Sequence, residues 1–187
     1  MNPTADERKR LEPLLRSGET LHWTGRPDPK VLFSKADVFL VPFSLLWGGF
    51  AIFWEYQVLT GDAPALFALF GIPFVLIGLY MIVGRFIYKS RRKRTTVYGL
   101  TDSRAIVSTS ERSSTDAPIH GVSISTNRSR DNAHVTVTFG STRSTMYQNT
   151  GMGFLGAGFG GLGADQGVGF FDVPNPDKLT KALDALR

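Results

Sequence analysis

The side chains best suited to bind a ligand form a dense run of cations directly after a long apolar stretch. Beside a membrane segment, such cations set the topology of the chain and attract anionic lipid headgroups, with about 1 kcal/mol per basic residue. Outside the run, 15 of the 21 basic residues face 16 acidic ones, so the net charge of +5 is local and does not predict nucleic-acid binding. The run predicts contacts with lipid headgroups at the membrane surface for Arg85, Lys89, Arg91, Arg92, Lys93 and Arg94.

A second group of candidate ligand contacts lies further along the chain. Its arginines could line a phosphate-binding pocket, although an ordinary solvated β surface gives the same pattern. The Gly-rich loop 151–169 has nine glycines in nineteen residues and is either a plain disordered connection or a sticky surface for the bilayer or a partner subunit. The possible ligand or partner contacts are therefore Arg104, Arg128, Arg130, Arg143, Phe154 and Phe159.

Catalytic chemistry is not indicated by the sequence. The chain has no cysteine, which excludes disulfides, thiolate metal sites and thiol nucleophiles. His22, His120 and His134 lack the spacing of metal ligands, and no serine stands in a nucleophile-elbow sequence. The segment 151–156 matches a dinucleotide fingerprint formally, but such a match is expected by chance among so many glycines. We expect neither an enzyme nor a bound cofactor or metal.

Two uncharged runs predict the elements that position the cations. Val38–Trp54 has 17 residues and Ala63–Gly84 has 22, which is enough for two membrane helices of about 38–57 and 64–86. The alternative is a pair of buried helices in a soluble protein, but few other residues are available to cover them. Small residues on both runs should let the helices approach closely, namely Gly48, Gly49, Ala51, Ala68, Gly71 and Gly78.

The distribution of charge predicts the orientation of the hairpin in the membrane. The only charged residues of the short connection between the runs are the acids Glu55 and Asp62, whereas the cations follow the second run. The positive-inside rule then predicts that both termini are cytoplasmic. The first thirty residues lack the apolar core of a signal peptide, so no cleaved signal is expected.

The residues after Arg94 change to short alternating runs that predict antiparallel strands. The clearest is Ala133–Phe139, with which Arg143–Tyr147 can pair. Residues 95–109 should form a hairpin, and further strands are expected at Ala117–Ile124, interrupted by Gly121, and at Gly169–Val173. A C-terminal amphipathic helix should begin after Asn175, which can cap it, with Pro176 in its first position.

Several of these segments resemble a known family. They are the turn Tyr98–Val107, the residues Pro118–Ile124, the residues Gly169–Phe171, and the lead-in Gly18–Pro27 with its Gly-Glu, Trp and Gly-Arg-Pro residues. Together they are similar to bacterial pleckstrin-homology-like (PH-like) domains, in particular to membrane-anchored members with two transmembrane helices. The resemblance implies about seven antiparallel strands closed by a C-terminal helix, and a binding or assembly role without a shared catalytic motif.

The expected fold class is thus an α+β membrane protein, in which a two-helix transmembrane hairpin precedes a small antiparallel β-barrel or sandwich with a C-terminal amphipathic helix. The expected parts are a cytoplasmic segment 1–35, the hairpin 36–88 and a PH-like domain 89–187. The expected function is a binding module at the cytoplasmic face of the bacterial inner membrane, for anionic lipid headgroups or a membrane-protein partner. The alternative is an assembly protein that forms homo-oligomers through its β domain and its Gly-rich loop.

Overall fold

The computed structural model describes residues 3–61, 64–140, 148–152 and 167–186. Its helices are α1 (Pro3–Leu11), α2 (Asp37–Thr60), α3 (Ala65–Leu79), α4 (Arg85–Thr95) and α5 (Pro176–Asp184). Its strands are β1 (Leu21–Gly25), β2 (Val97–Thr101), β3 (Arg104–Ser110), β4 (Ser113–Pro118), β5 (Ile124–Arg128), β6 (His134–Phe139) and β7 (Val168–Pro174). The fold is therefore α+β, as expected.

Two helices of the chain are long and apolar enough to cross a membrane. The first is α2, with 24 residues, and the second runs through α3, one π-helical turn (Tyr80–Gly84) and α4, with 31 residues in all. Their large apolar side chains are mostly exposed; Leu46 and Leu66, for example, are each 74% exposed. A core helix of a soluble protein would enclose such side chains, so this surface needs a cover that the described residues do not supply.

The two long helices are antiparallel and touch through small residues. Gly48 and Gly78 are both buried, and a Cβ atom added to Gly78 would lie 2.8 Å from the Cα atom of Gly48. Gly71 is also buried, at the level of Glu55 near the far end of the hairpin. The close approach that the small residues predict is confirmed at these positions, whereas Gly49 faces open space.

Four strands form the first sheet, in the order β1-β2-β3-β4. The predicted hairpin over residues 95–109 is confirmed as β2 and β3, in which Gly99 pairs with Ile106. β1 comes from the lead-in before the hairpin and pairs with β2, with Trp23 opposite Leu100. Residues from the segment 1–35 thus complete a sheet whose other strands all follow the second long helix.

Three strands, β5-β6-β7, form the second sheet and share a core with the first. The predicted strand at 133–139 is confirmed as β6, and the last predicted strand as β7. Phe170 of β7 lies at the centre of the core, with ring centroids 4.8 Å from Tyr98 and 5.2 Å from Phe139. Helix α5 adds Leu179 and Leu183 to this core, so the amphipathic face predicted for it is buried.

The outer face of the first sheet is covered by α1, a helix that the sequence analysis did not anticipate. Leu11 is fully buried against Val97 and Ile106. A Cβ atom on Gly99 would lie 2.8 Å from the Leu11 side chain, so the helix sits directly on β2. The N-terminal residues are therefore part of the β domain, because they form both a strand of the first sheet and the helix that covers its outer face.

Three details of the expected β domain are decided by the structure. Of the two expected forms, barrel or sandwich, the described strands form two separate antiparallel sheets and no closed barrel. The strand expected at Ala117–Ile124 is wrong, because β4 ends at Pro118 and β5 begins at Ile124. Asn175 precedes α5 in the left-handed conformation, with φ 57°, and its side chain makes no capping hydrogen bond. The strand predicted at 143–147 and most of the Gly-rich loop 151–169 lie outside the described residues.

Candidate functional site

Three of the six predicted headgroup-binding cations point into the protein. Arg85, Lys89 and Lys93 stand four residues apart on one face of α4, and we call them the cation row. All three are buried, with Arg85 only 1% exposed. Because an unpaired buried cation is very costly, each of them needs a close acceptor from another part of the chain.

Arg85 finds its acceptor at the start of the first long helix. Its guanidinium forms an ion pair with Asp37, whose side chain is 3% exposed. The Asp37 carboxylate also accepts hydrogen bonds from the backbone N–H and the hydroxyl of Ser34, as the acid of a capping box does. The ion pair therefore joins the first residue of α2 to the first residue of α4.

A π-helical turn supplies a second acceptor for Arg85. The backbone N–H of Arg85 bonds to the carbonyl of Tyr80, five residues earlier, and the Met81 carbonyl accepts the guanidinium Nε at 2.8 Å. Single π turns within α-helices are rare and occur frequently at functional sites. Here the turn directs Arg85 along the helix toward Asp37.

The segment 148–152 packs on the same helix turn. Gly151 has φ +77°, and a Cβ atom there would collide with the Arg85 carbonyl oxygen, so only glycine fits. The Gly151 carbonyl accepts a hydrogen bond from the Tyr80 hydroxyl at 2.6 Å, and the Thr150 carbonyl lies 3.4 Å from Arg85 Nη1. The first residue of the Gly-rich loop is thus fixed against the end of the hairpin.

Lys89 and Lys93 hold the chain between β1 and α2. Lys89 Nζ donates to the Leu32 carbonyl at 2.7 Å, and Lys93 Nζ donates to the Val31 carbonyl at 2.6 Å and the Asp28 carbonyl at 3.2 Å. Backbone carbonyls satisfy buried ammonium groups without adding a compensating charge. The loop at 28–32, which follows the Gly-Arg-Pro residues, is therefore bound to α4.

Asp172 of β7 provides the charge that balances Lys93. Its carboxylate lies 2.5 Å from Lys93 Nζ and accepts a second hydrogen bond from the Asn149 side chain at 2.9 Å. The Asp172 carbonyl accepts the backbone N–H of Asp28 at 2.9 Å. The second sheet, the loop at 28–32 and α4 thus meet at Asp172, whose carboxylate binds α4 and whose carbonyl binds the loop.

The loop is also tied to β6 through Asp28. Its carboxylate accepts the Lys30 backbone N–H at 2.8 Å and lies 3.0 Å from His134 Nε2. These hydrogen bonds, with that of Lys30 the stronger influence, hold the pKa of Asp28 below its ordinary value. The site is a network of structural ion pairs that fixes the β domain to the hairpin.

The pocket beside the cation row is too small for a lipid headgroup. It has a volume of about 50 Å³ and is lined by Tyr88, Lys93 and Asn149 among others, which leaves room for a few water molecules. Among the described residues there is no cluster of three acidic or histidine side chains that could hold a metal. Of the predicted basic run, Arg91 and Arg94 are exposed and Arg92 is half-buried, so these three remain accessible from outside.

Arg104, a predicted ligand contact, is instead buried in an internal ion pair. Its guanidinium binds Glu19 through Nε at 2.8 Å and through Nη2 at 2.9 Å. The bond from Arg104, with help from the Arg16 backbone N–H and the Thr101 hydroxyl, lowers the pKa of Glu19 far below its usual range. The two motifs behind the family resemblance are therefore in direct contact, and their charges serve stability.

The other predicted contacts do not converge with Arg104. Arg128 lies on the second sheet and forms an exposed pair with Asp177 of α5 at 3.3 Å, and Arg130 is exposed in the turn after β5. Arg143, Phe154 and Phe159 lie outside the described residues. The described part of the chain thus contains no shared phosphate pocket formed by these arginines.

Comparison of the chain with known protein families, with curated proteins and with solved structures finds no match. Function must therefore be argued from the geometry alone. Sequence reasoning overlooked Asp37 and Asp172 as partners of the cation row. A signal was available for each, because an acid directly before an apolar helix and an acid inside the apolar strand Gly169–Val173 both require a partner.

Proposed function

We propose that this chain is a two-span protein of the bacterial inner membrane that holds a PH-like β domain at the cytoplasmic face, where it binds anionic lipid. The observation that carries the proposal is the pairing of β1 with β2. One strand precedes the hairpin and the other follows it, so both ends of the hairpin lie on the same side of any bilayer that it enters. The basic run on that side makes it the cytoplasmic side.

The depth of the hairpin fits a bilayer. From Asp37 to Glu55 the helix rises about 27 Å, and from Ala65 to Arg85 about 30 Å, which is close to the ~30 Å of a hydrocarbon core. The charged residues at these ends lie at the helix–helix interface, with Glu55 beside Gly71 and Asp37 beside Arg85. Exposed apolar side chains fill the distance between them.

The contacts of the cation row support a β domain that is held in one orientation relative to the hairpin. Lys89 and Lys93 bind the loop at 28–32, and Lys93 also binds Asp172 of the second sheet. A domain held in this way presents a constant face to the headgroups, together with the accessible Arg91, Arg92 and Arg94. Basic residues on such a surface attract anionic lipid, with about 1 kcal/mol for each one.

Topology is tested first, by cysteine labelling in intact cells. The chain has no native cysteine, so T60C near the hairpin tip and S129C in the β5–β6 turn each create a single reporter. A membrane-impermeant maleimide added to spheroplasts should label T60C, and should label S129C only after lysis. Labelling of both or neither before lysis, or extraction of the protein by alkaline carbonate, contradicts the proposal.

Lipid binding is tested on the reconstituted chain. Native mass spectrometry from mild detergent should show retained phosphatidylglycerol in preference to phosphatidylcholine. Equal retention of the two lipids contradicts lipid recognition. The alternative is a protein that assembles into homo-oligomers. It is tested by chemical crosslinking of the reconstituted chain, since a ladder of homo-oligomers would favour this role.

A further inference from the structure

The outward side of α4 forms a groove that the cation row does not use. This groove is open, has a volume of about 440 Å³, and lies between α4 and the loop residue Leu32. Its apolar wall includes Val83, Phe86 and Ile87, and its other end carries Arg91 and Arg94. We call it the α4 groove.

The chemistry of the α4 groove is divided along the helix axis. The apolar wall ends at Ile87, and the two arginines follow on the same face, about 10 Å further along when measured from Ile87 to Arg94. Arg91 and Arg94 are three residues apart, so their guanidinium groups are neighbours on the helix surface. Within the described residues neither of them has an acidic partner, in contrast to Arg85 and Lys93.

The groove is pre-formed by contacts within the protein. Lys89 holds the Leu32 carbonyl at 2.7 Å and so fixes the loop wall. The Phe86 ring lies under the Arg85 guanidinium at 4.2 Å, and its centroid is 5.2 Å from that of Phe33. A ligand that enters this groove would therefore meet walls that need little ordering.

From this geometry we propose that the α4 groove binds one anionic phospholipid of the cytoplasmic leaflet. An acyl chain lies along Val83, Phe86 and Ile87, and the phosphate lies between Arg91 and Arg94. The guanidinium fork matches phosphate oxygens in two-pronged hydrogen bonds, and an apolar wall next to it selects an amphiphile over a free anion. This inference rests on the proposed membrane insertion and assigns its lipid recognition to two arginines.

The test compares R91Q/R94Q with the matched control K178Q/K181Q, which removes the same charge from exposed positions on α5. Each full-length variant is reconstituted with phosphatidylglycerol, and retained lipid is counted by native mass spectrometry. Loss of two phosphate-binding cations should weaken retention about thirtyfold in R91Q/R94Q and leave the control unchanged. An equal change in both variants overturns the proposal, because binding would then follow net charge alone.

A third variant, V83W, tests the apolar half by filling the groove while the charges stay in place. It should lower phosphatidylglycerol retention, and inorganic phosphate should fail to displace the lipid from the parent chain. Unchanged retention in V83W, or displacement by phosphate alone, overturns the acyl-chain assignment. Carbonate extraction separates the two levels of failure, since a chain that stays in the membrane without selecting lipid refutes only the α4 groove.

Discussion

The ion pair of Asp37 and Arg85 predicts an asymmetric response to mutation. Among the residues that the structure describes, Asp37 has the only carboxylate that binds Arg85. D37A therefore leaves a guanidinium that is 1% exposed, with the carbonyls of Met81 and Thr150 as its described acceptors. Breaking a buried pair in this way costs about 3–5 kcal/mol in the free energy of unfolding. R85M leaves Asp37 with both hydrogen bonds from Ser34, so its cost should be smaller, about 1–3 kcal/mol.

The double variant D37A/R85M completes the thermodynamic cycle. Because it removes both charges, it should be more stable than D37A and should show a coupling free energy of about 2 kcal/mol or more. Unfolding is followed in detergent micelles through the fluorescence of Trp23, which stacks on Phe170 in the β-domain core at 5.8 Å. W47F/W54F serves as the background because it removes the other two tryptophans.

The result that refutes the reasoning is a D37A chain no less stable than R85M. That outcome would mean that the Arg85 guanidinium reaches water or lipid phosphate when Asp37 is gone. Circular dichroism in the helical region provides the control, since all variants should keep their helix content at low denaturant. A variant that fails to insert is recognised by carbonate extraction before any stability is compared.

Two further predictions concern the β domain and the hairpin. Arg104 lowers the pKa of Glu19, so the stability that this carboxylate contributes is present above its ordinary pKa of 4.5 and is lost as the pH falls below that value. In urea titrations, E19Q should therefore be less stable than the parent chain at pH 7. On acidification, E19Q should lose less stability than the parent. A parallel pH dependence in E19Q and the parent would contradict this. G78V would force the Gly48 backbone away and should destabilise the hairpin by about 1–3 kcal/mol in detergent denaturation. G49A faces open space and should leave the hairpin as stable as the parent or more stable by up to about 1 kcal/mol, because alanine favours the helix. Equal effects of the two substitutions would exclude close contact at Gly78.

Long uncharged runs and one period-two alternation in the sequence predicted the long elements correctly. The two apolar runs became α2 and the α3–α4 helix, and the alternating residues His134–Phe139 became β6. These patterns are local, because each reports the solvent on the faces of a single element. The second helix extends nine residues past its predicted end at residue 86, since arginine and lysine are good helix formers even where hydropathy falls.

The direction of the cation row could not be read from hydropathy. A run of six cations gives the same composition whether it faces lipid or the protein interior. The spacing of Arg85, Lys89 and Lys93 does place them on one helical face, but apart from the Met81 carbonyl their acceptors lie 48 to 79 residues away along the chain. Only the folded topology brings Asp37, the loop at 28–32 and Asp172 to that face.

The role of the N-terminal residues was missed for a similar reason. The residues of β1 are too few and too polar for a strand signal, and they become a strand because β2 offers a free edge. Arg104 was expected to be open to a ligand because its charge is visible in the sequence, whereas its partner Glu19 is 85 residues distant. Long-range pairing of this kind leaves no trace in local periodicity.

The interleaved construction of the β domain has a consequence for biosynthesis. About 70 residues, including both apolar helices, separate the end of β1 from the start of β2. At ~5–20 residues per second, the ribosome delivers β2 roughly 4–14 s after β1, so in the proposed topology the first strand stays unpaired on the side of synthesis while the hairpin inserts. In a chain that inserts only one of its helices, β1 and β2 lie on opposite sides of the membrane, and β2 keeps an unpaired edge. In the proposed topology, completion of the sheet therefore requires correct insertion of both helices, and a failed product exposes an unpaired edge that can pair with another chain.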